Sequence, residues 1–162
     1  ALELLEQLPR HDIVYVSIGG GGLISGIGSV FKAFSPQTRI VGVSAKNSAA
    51  LAASIRAGQM VEVTHSDTLA DGCAGSVDGN SVTLPLGIDV IDTLIDCSED
   101  QIAEGLRHIA WTEKMLVEGS AGLALAAWQA DEIQNTGKVS AVVLCGANFD
   151  RDQLAPIIGS SS

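Results

Sequence analysis

Runs of apolar residues alternate along this chain with stretches in which apolar positions recur every three or four residues, the signature of strands alternating with helices. Ile13-Val14-Tyr15-Val16-Ser17-Ile18 reads as a buried strand, and Leu23, Ile27, Phe31 and Phe34 after it lie at helical spacing until Pro36 breaks the pattern. Arg39-Ile40-Val41-Gly42-Val43 predicts a second strand and residues 48–57 an Ala-rich helix stopped by Gly58. Thr93-Leu94-Ile95-Asp96-Cys97 predicts a third strand; Ser98 and Gln101 then form a capping box for a long helix with Ile102, Leu106 and Ile109 on one face. A break at Glu118-Gly119-Ser120 precedes an Ala/Leu-rich helix reaching about residue 135, with Gly137 as its stop, and residues 139–144 predict the last strand. Strands that read as unbroken apolar runs between helices predict an α/β fold of three layers, a mostly parallel sheet with helices on both faces. Residues 61–84, rich in Asp and Gly, are the least regular part and predict a long functional loop. Leu2, Leu5 and Leu8 share a helical face closed by Pro9, yet no capping residue or Met precedes them, which predicts an element cut by the chain start and a further segment upstream.

Composition narrows the function. With 162 residues, 46% of them hydrophobic, the chain predicts one globular domain over residues 1–159 and a frayed tail at 160–162. The sequence has no membrane-spanning apolar run and no signal-peptide pattern, so a cytoplasmic location is expected. A net charge of −10 with nine scattered basic residues argues against nucleic acid or an anionic membrane as partner. Cys73, Cys97 and Cys145 are odd in number and in no C-x-x-C pair, which predicts reduced thiols, and His11, His65 and His108 are assigned to the surface or to helix faces.

The chemistry begins at Gly19-Gly20-Gly21-Gly22, between the first strand and the helix after it. A strand that ends in glycines and restarts as a helix leaves several backbone N–H groups without intrahelical partners, aimed at one spot beside the positive end of the helix dipole. That is an anion cradle. The dinucleotide pattern G-x-G-x-x-G fails in each register, because Ile24 or Ser25 stands at its last position, and the second strand runs into Ser44 rather than a ribose-binding acid. For a P-loop, Gly21 and Gly26 are correctly separated but Ile27 replaces the required Lys. NAD and ATP are both disfavoured.

Four motifs in order, Ser17-Ile18-Gly19-Gly20-Gly21-Gly22-Leu23-Ile24-Ser25-Gly26, Thr68-Leu69-Ala70-Asp71-Gly72, Val117-Glu118-Gly119-Ser120-Ala121-Gly122 and Leu144-Cys145-Gly146-Ala147-Asn148, resemble the serine/threonine dehydratase family. These are fold-type II pyridoxal phosphate enzymes, relatives of serine racemase and the tryptophan synthase β chain. The resemblance implies that backbone N–H groups of Gly19, Gly20, Gly21, Gly22 and Leu23 hold the phosphate of pyridoxal 5′-phosphate, that Gly72 lies against the pyridine ring, and that Glu118 sits near that ring. It implies that Cys145 faces the pyridine nitrogen, where a neutral thiol makes the ring a weaker electron sink than a carboxylate would and favours elimination. The implied reaction removes the β-hydroxyl of a small hydroxy amino acid and releases a keto acid and ammonia. A homo-oligomer, specifically a dimer, is implied as well. Without the family, Glu118 reads as a helix-start carboxylate, Asp71 as a turn residue and Cys145 as a strand-end thiol.

The sequence departs from the family in two ways. Ser44 and Ala50 stand where many members place acidic cation ligands, so no metal site is expected there. The resemblance also covers only the carboxyl-terminal half of a family chain. The Schiff-base Lys belongs to the other half, and none of Lys32, Lys46, Lys114 or Lys138 matches it; no catalytic residue is therefore assigned, and the chain alone is expected to be inactive. A phosphate-ligand binding or interaction module without catalysis, and a racemase, hydroxy-amino-acid lyase or β-replacement synthase of the same family, remain the alternatives.

Overall fold

The structure is a computed structural model that describes residues 1–159, so the tail expected at 160–162 lies outside the described residues. Four strands, β1 (Ile13–Ser17), β2 (Arg39–Ala45), β3 (Thr93–Cys97) and β4 (Ser140–Val142), form one sheet in the order β3-β2-β1-β4. Every pairing is parallel, with Ile13 opposite Arg39 and Ser140, and Val41 opposite Thr93. The central strand β1 is buried along its whole length, as a strand covered on both faces must be. Helices α1 (Leu2–Gln7), α2 (Gly22–Phe34), α3 (Ala50–Ala57), α4 (Thr83–Val90), α5 (Glu99–His108), α6 (Gly119–Ala130), α7 (Glu132–Asn135) and α8 (Arg151–Gly159) complete the described elements. No helix among the described residues is long and apolar enough to cross a membrane.

The two faces of the sheet carry separate cores. Val14, Val16 and Ile40 pack with Ile24, Ile27 and Phe31 of α2 and Leu51 of α3. On the other face Tyr15, Val41 and Val43 pack with Ile102 and Leu106 of α5, Ala121 and Leu123 of α6, and Leu154 of α8. The three-layer α/β expectation holds. The capping box forms as predicted: the Ser98 hydroxyl accepts from the Gln101 amide while the Gln101 side chain accepts from the Ser98 amide.

Several elements differ from the sequence reading. The helix expected from residue 48 begins at Ala50, because Ser48 folds back to pair with Ala45. Residues 83–90, left without an element, form α4, which packs on α2 with Val90 against Gly28. Residues 109–113, expected to continue α5, widen into a π-helical turn that ends at Lys114 in the left-handed region. The helix expected to reach residue 135 breaks at Asp131, whose carboxylate is drawn inward by the Tyr15 hydroxyl at 2.7 Å and by Arg39. The last strand is shorter than residues 139–144, and an unexpected α8 follows it. His11, assigned to the surface or a helix face, lies on neither: it sits between α1 and β1 and is buried with its ring edge against Phe31 at 5.3 Å between centroids.

The Tyr15–Asp131–Arg39 cluster makes stability depend on alkaline pH. Burial, and then the bond to Asp131, push the Tyr15 hydroxyl from 10.0 up to about 12. The folded state thus favours the neutral phenol, so this contribution is complete below pH 10.0 and is lost as pH rises towards about 12. Tyr15→Phe should flatten the fall in unfolding free energy across that window relative to the natural chain, measured by urea unfolding at stepped pH.

Candidate functional site

Consecutive strands β1, β2 and β3 run to one side of the sheet and β4 returns on the other side of β1, so the strand order reverses between β1 and β4. A crevice opens at the carboxyl ends of strands at such a reversal, because the loops leaving the two neighbours turn away from each other. The end of β1 carries the glycine loop into α2, and β4 leads into Cys145 and Gly146.

Gly21 adopts φ +89° as the residue capping α2, a conformation open to glycine, and an added Cβ would lie 2.3 Å from Leu51 Cδ2. That turn aims the start of α2 at the crevice. The first helical bond is donated by the Ser25 amide to the Gly21 carbonyl at 3.0 Å. Among the described residues, no hydrogen bond is donated by the amides of Gly19, Gly20, Gly21, Gly22 or Leu23. The first turn of α2 has no acidic residue and no side-chain cap, so nothing in it offsets the positive end of the dipole. A Cβ placed on Gly20 or Gly22 would meet nothing within 4 Å, and both residues are exposed. Unclaimed amides beside open space fit an anion such as a phosphate ester. The Leu23 side chain is 46% exposed and takes no part in the core.

The other three motifs close around this loop. Gly19 approaches the turn at Asp71–Cys73 so closely that a Cβ there would stand 3.0 Å from the Cys73 Cα. Within that turn the Asp71 carboxylate accepts from the Gly72 amide at 2.8 Å, the turn role its sequence suggested. A Cβ on Gly72 would lie 2.9 Å from Ser120 Oγ and 3.3 Å from Glu118 Oε1. Glu118 caps α6 and receives the Asn148 amide at 2.9 Å, while its own amide donates to the Gly146 carbonyl at 3.2 Å. A Cβ on Gly146 would fall 2.5 Å from Glu118 Oε2, so a side chain there would displace the Glu118 carboxylate. Cys145 Sγ lies 3.3 Å from Ser17 Oγ at the end of β1, which joins the last motif to the first. Contacts thus link the segment Gly19, Gly20, Gly21, Gly22 and Leu23 to the segments that carry Gly72, Glu118 and Cys145.

Sequence reasoning left three neighbours unassigned. Ser17 is the polar residue closing an otherwise apolar strand, and that position was its available signal. Cys73 follows Gly72 directly, and burial pushes its thiol up from the ordinary range. Ser120 is buried with no hydrogen-bond partner for its hydroxyl, a polar atom held 2.9 Å from where a Gly72 Cβ would stand. Neither Lys32, bound to Asp92 at 2.7 Å, nor Lys114, which donates to the Trp111 carbonyl, reaches this crevice; Lys46 and Lys138 are exposed at turns elsewhere. Among the described residues no group of three or more His, Cys, Asp or Glu is placed to hold a metal ion.

Comparison with known proteins agrees with this geometry. The family described as pyridoxal-phosphate dependent enzyme matches residues 1–146. The chain is 36% identical over 162 residues to the catabolic L-threonine dehydratase of Escherichia coli K12, covering 98% of this chain and 48% of that protein. It is 33% identical over 157 residues to the L-threonine ammonia-lyase of Thermotoga maritima, covering 97% of this chain and 39% of that protein. Among solved structures, maize serine racemase superposes with a TM-score of 0.85 at 32% identity, covering 96% of this chain and 49% of that one. The processed threonine deaminase isoform 2 of Solanum lycopersicum superposes with a TM-score of 0.88 at 27% identity, covering 98% and 46%. The chain spans about half the length, or less, of these relatives, and matches the carboxyl-terminal part of such enzymes. With parallel strands, a glycine-lined crevice at their switch point and this set of relatives, the chain belongs to the pyridoxal-phosphate-dependent enzyme family, in its fold-type II serine/threonine dehydratase branch.

Proposed function

We propose that residues 1–159 form the cofactor-cradling part of a pyridoxal-phosphate-dependent ammonia-lyase that acts by β-elimination on a small hydroxy amino acid such as threonine or serine. The observation that carries this reading is the set of unclaimed amides from Gly19 to Leu23, open to solvent and bordered by Gly72, Glu118 and Cys145. These amides would bind the phosphate. Gly72 and Gly146 keep side chains out of the space beside Glu118, and Glu118 is fixed by the Asn148 amide so that its carboxylate stays at the crevice wall. The Cys145 thiol, held against the Ser17 hydroxyl, would stand beside the cofactor's ring nitrogen and offer it a thiol rather than a carboxylate. When bound, the cofactor supplies the electron sink that withdraws charge from the substrate α-carbon. The Schiff-base lysine is assigned to a part of the enzyme outside these residues, so the isolated chain binds without turnover.

Pyridoxal phosphate added to the full 162-residue chain should therefore bind saturably and be displaced by inorganic phosphate, followed by quenching of tryptophan fluorescence. Borohydride treatment should fix no label at a single lysine. Absence of saturable binding, or one specific reduced lysine among Lys32, Lys46, Lys114 and Lys138, would overturn the assignment.

A further inference from the structure

Two of the three cysteines come to the end of β1 from elements far apart in sequence, Cys145 against Ser17 and Cys73 against Gly19. Cys145 is exposed beyond β4, and its sulfur lies 3.3 Å from Ser17 Oγ. Cys73 ends the turn at Asp71–Cys73, and the glycines beside the two cysteines, Gly72 and Gly146, both lie against the Glu118 carboxylate. The glycine loop draws their backbones together, since Gly19 packs on the Cys73 Cα and β1 lies beside β4 with Tyr15 opposite Val142. Cys97, at the end of β3, is wholly buried and separated from β4 by two strands. One thiol open to solvent beside a second, sheltered thiol is the arrangement in which an oxidised sulfur is resolved by its neighbour.

We propose that Cys73 and Cys145 are a reversible two-electron redox pair that closes across Ser17. The oxidant is a hydroperoxide. The Cys145 sulfur attacks the outer peroxide oxygen, the O–O bond breaks, and Cys145–SH plus ROOH gives Cys145–SOH plus ROH. The Cys73 sulfur then attacks the Cys145 sulfur, the S–OH bond breaks, and the hydroxyl leaves with the Cys73 proton as water, forming the Cys73–Cys145 disulfide. Two electrons pass from the two thiols to the peroxide. The link ties the turn at Asp71–Cys73 to the segment leaving β4 and lays a staple across the crevice. Dithiothreitol reverses it by thiol exchange.

The test is a thiol count and peptide map of the full chain before and after hydroperoxide. Free thiols should fall from three to one, with Cys97 the survivor. Cleavage at the Asp residues between Cys73 and Cys97 should release a Cys73–Cys145 linked peptide that dithiothreitol separates. Cys97→Ser should still form the link, and Cys73→Ser should instead accumulate Cys145 oxidised beyond the thiol without an internal link. The proposal is overturned if the natural chain keeps Cys73 free while Cys145 proceeds to sulfinic acid, or if oxidation yields only dimers linked between chains. Mapping the natural chain decides this without any variant, and no cofactor is needed for the readout.

Discussion

Gly119→Ala is expected to lower the unfolding free energy by about 3 kcal/mol and the thermal midpoint by roughly 10 °C, although the substitution adds a single methyl group. Gly119 opens α6 against the backbone of the loop before the Asp71–Cys73 turn, and a Cβ there would stand 1.7 Å from the Leu69 carbonyl oxygen and 2.3 Å from its carbon. Neither atom belongs to a flexible side chain, so the main chain itself has to move. Gly26→Ala gives the contrast. Gly26 lies exposed inside α2 with nothing within 4 Å of a Cβ, and alanine there should raise stability by about 0.5–1 kcal/mol through helix propensity. Calorimetric scans of both variants check the pair; equal midpoints for the two would remove the claim that α6 and the Leu69 backbone are in obligatory contact. The displacement also reaches the crevice, since Leu69 is joined through Ala70 to the turn that positions Gly72.

Gly20→Asp is expected to do the reverse, sparing the fold and removing phosphate binding. Gly20 does not need positive φ and has open space around a Cβ, and a carboxylate near the start of α2 is electrostatically welcome, so stability should stay within about 0.5 kcal/mol. The same carboxylate would occupy the place the amides offer to a phosphate and repel it. Two like charges about 4 Å apart near a protein surface cost about 4 kcal/mol, on the order of a 1,000-fold loss of affinity for pyridoxal phosphate. Titration by fluorescence measures it, and Gly20→Ala, which adds bulk without charge, should lose far less. Unchanged affinity in Gly20→Asp would place the phosphate elsewhere.

Most of the sheet was legible because parallel strands covered on both faces must be apolar on both, and β1 and β2 are. Local capping was legible too: Ser98 and Gln101 need only each other and the backbone between them. What stayed hidden was decided at long range. Thr83–Val90 contains Pro85 and Gly87, which read as breakers; Pro85 sits in the first turn, where its missing N–H costs nothing, and Gly87 packs against Ile55, whose Cδ1 would lie 2.8 Å from a Cβ. The break at Asp131 answers to Tyr15, 116 positions away. Arg151–Gly159 carries Pro156 and a single buried residue, Leu154, so its periodicity is too weak to stand out. In the crevice, the motifs identified the residues but not their contacts. Ser17 and Cys145 are 128 positions apart, and nothing local to either announces the other.

A ligand grip made of peptide N–H groups has no side chain to protonate or lose a proton between mildly acid and mildly alkaline conditions. If the opening of α2 holds the phosphate as proposed, the receptor would stay constant while the guest changes: the second ionisation of a phosphate monoester, near pH ~6, would set when capture is strongest. Acidification would loosen the ester by altering its own charge, with the polypeptide a passive witness at that end of the cleft.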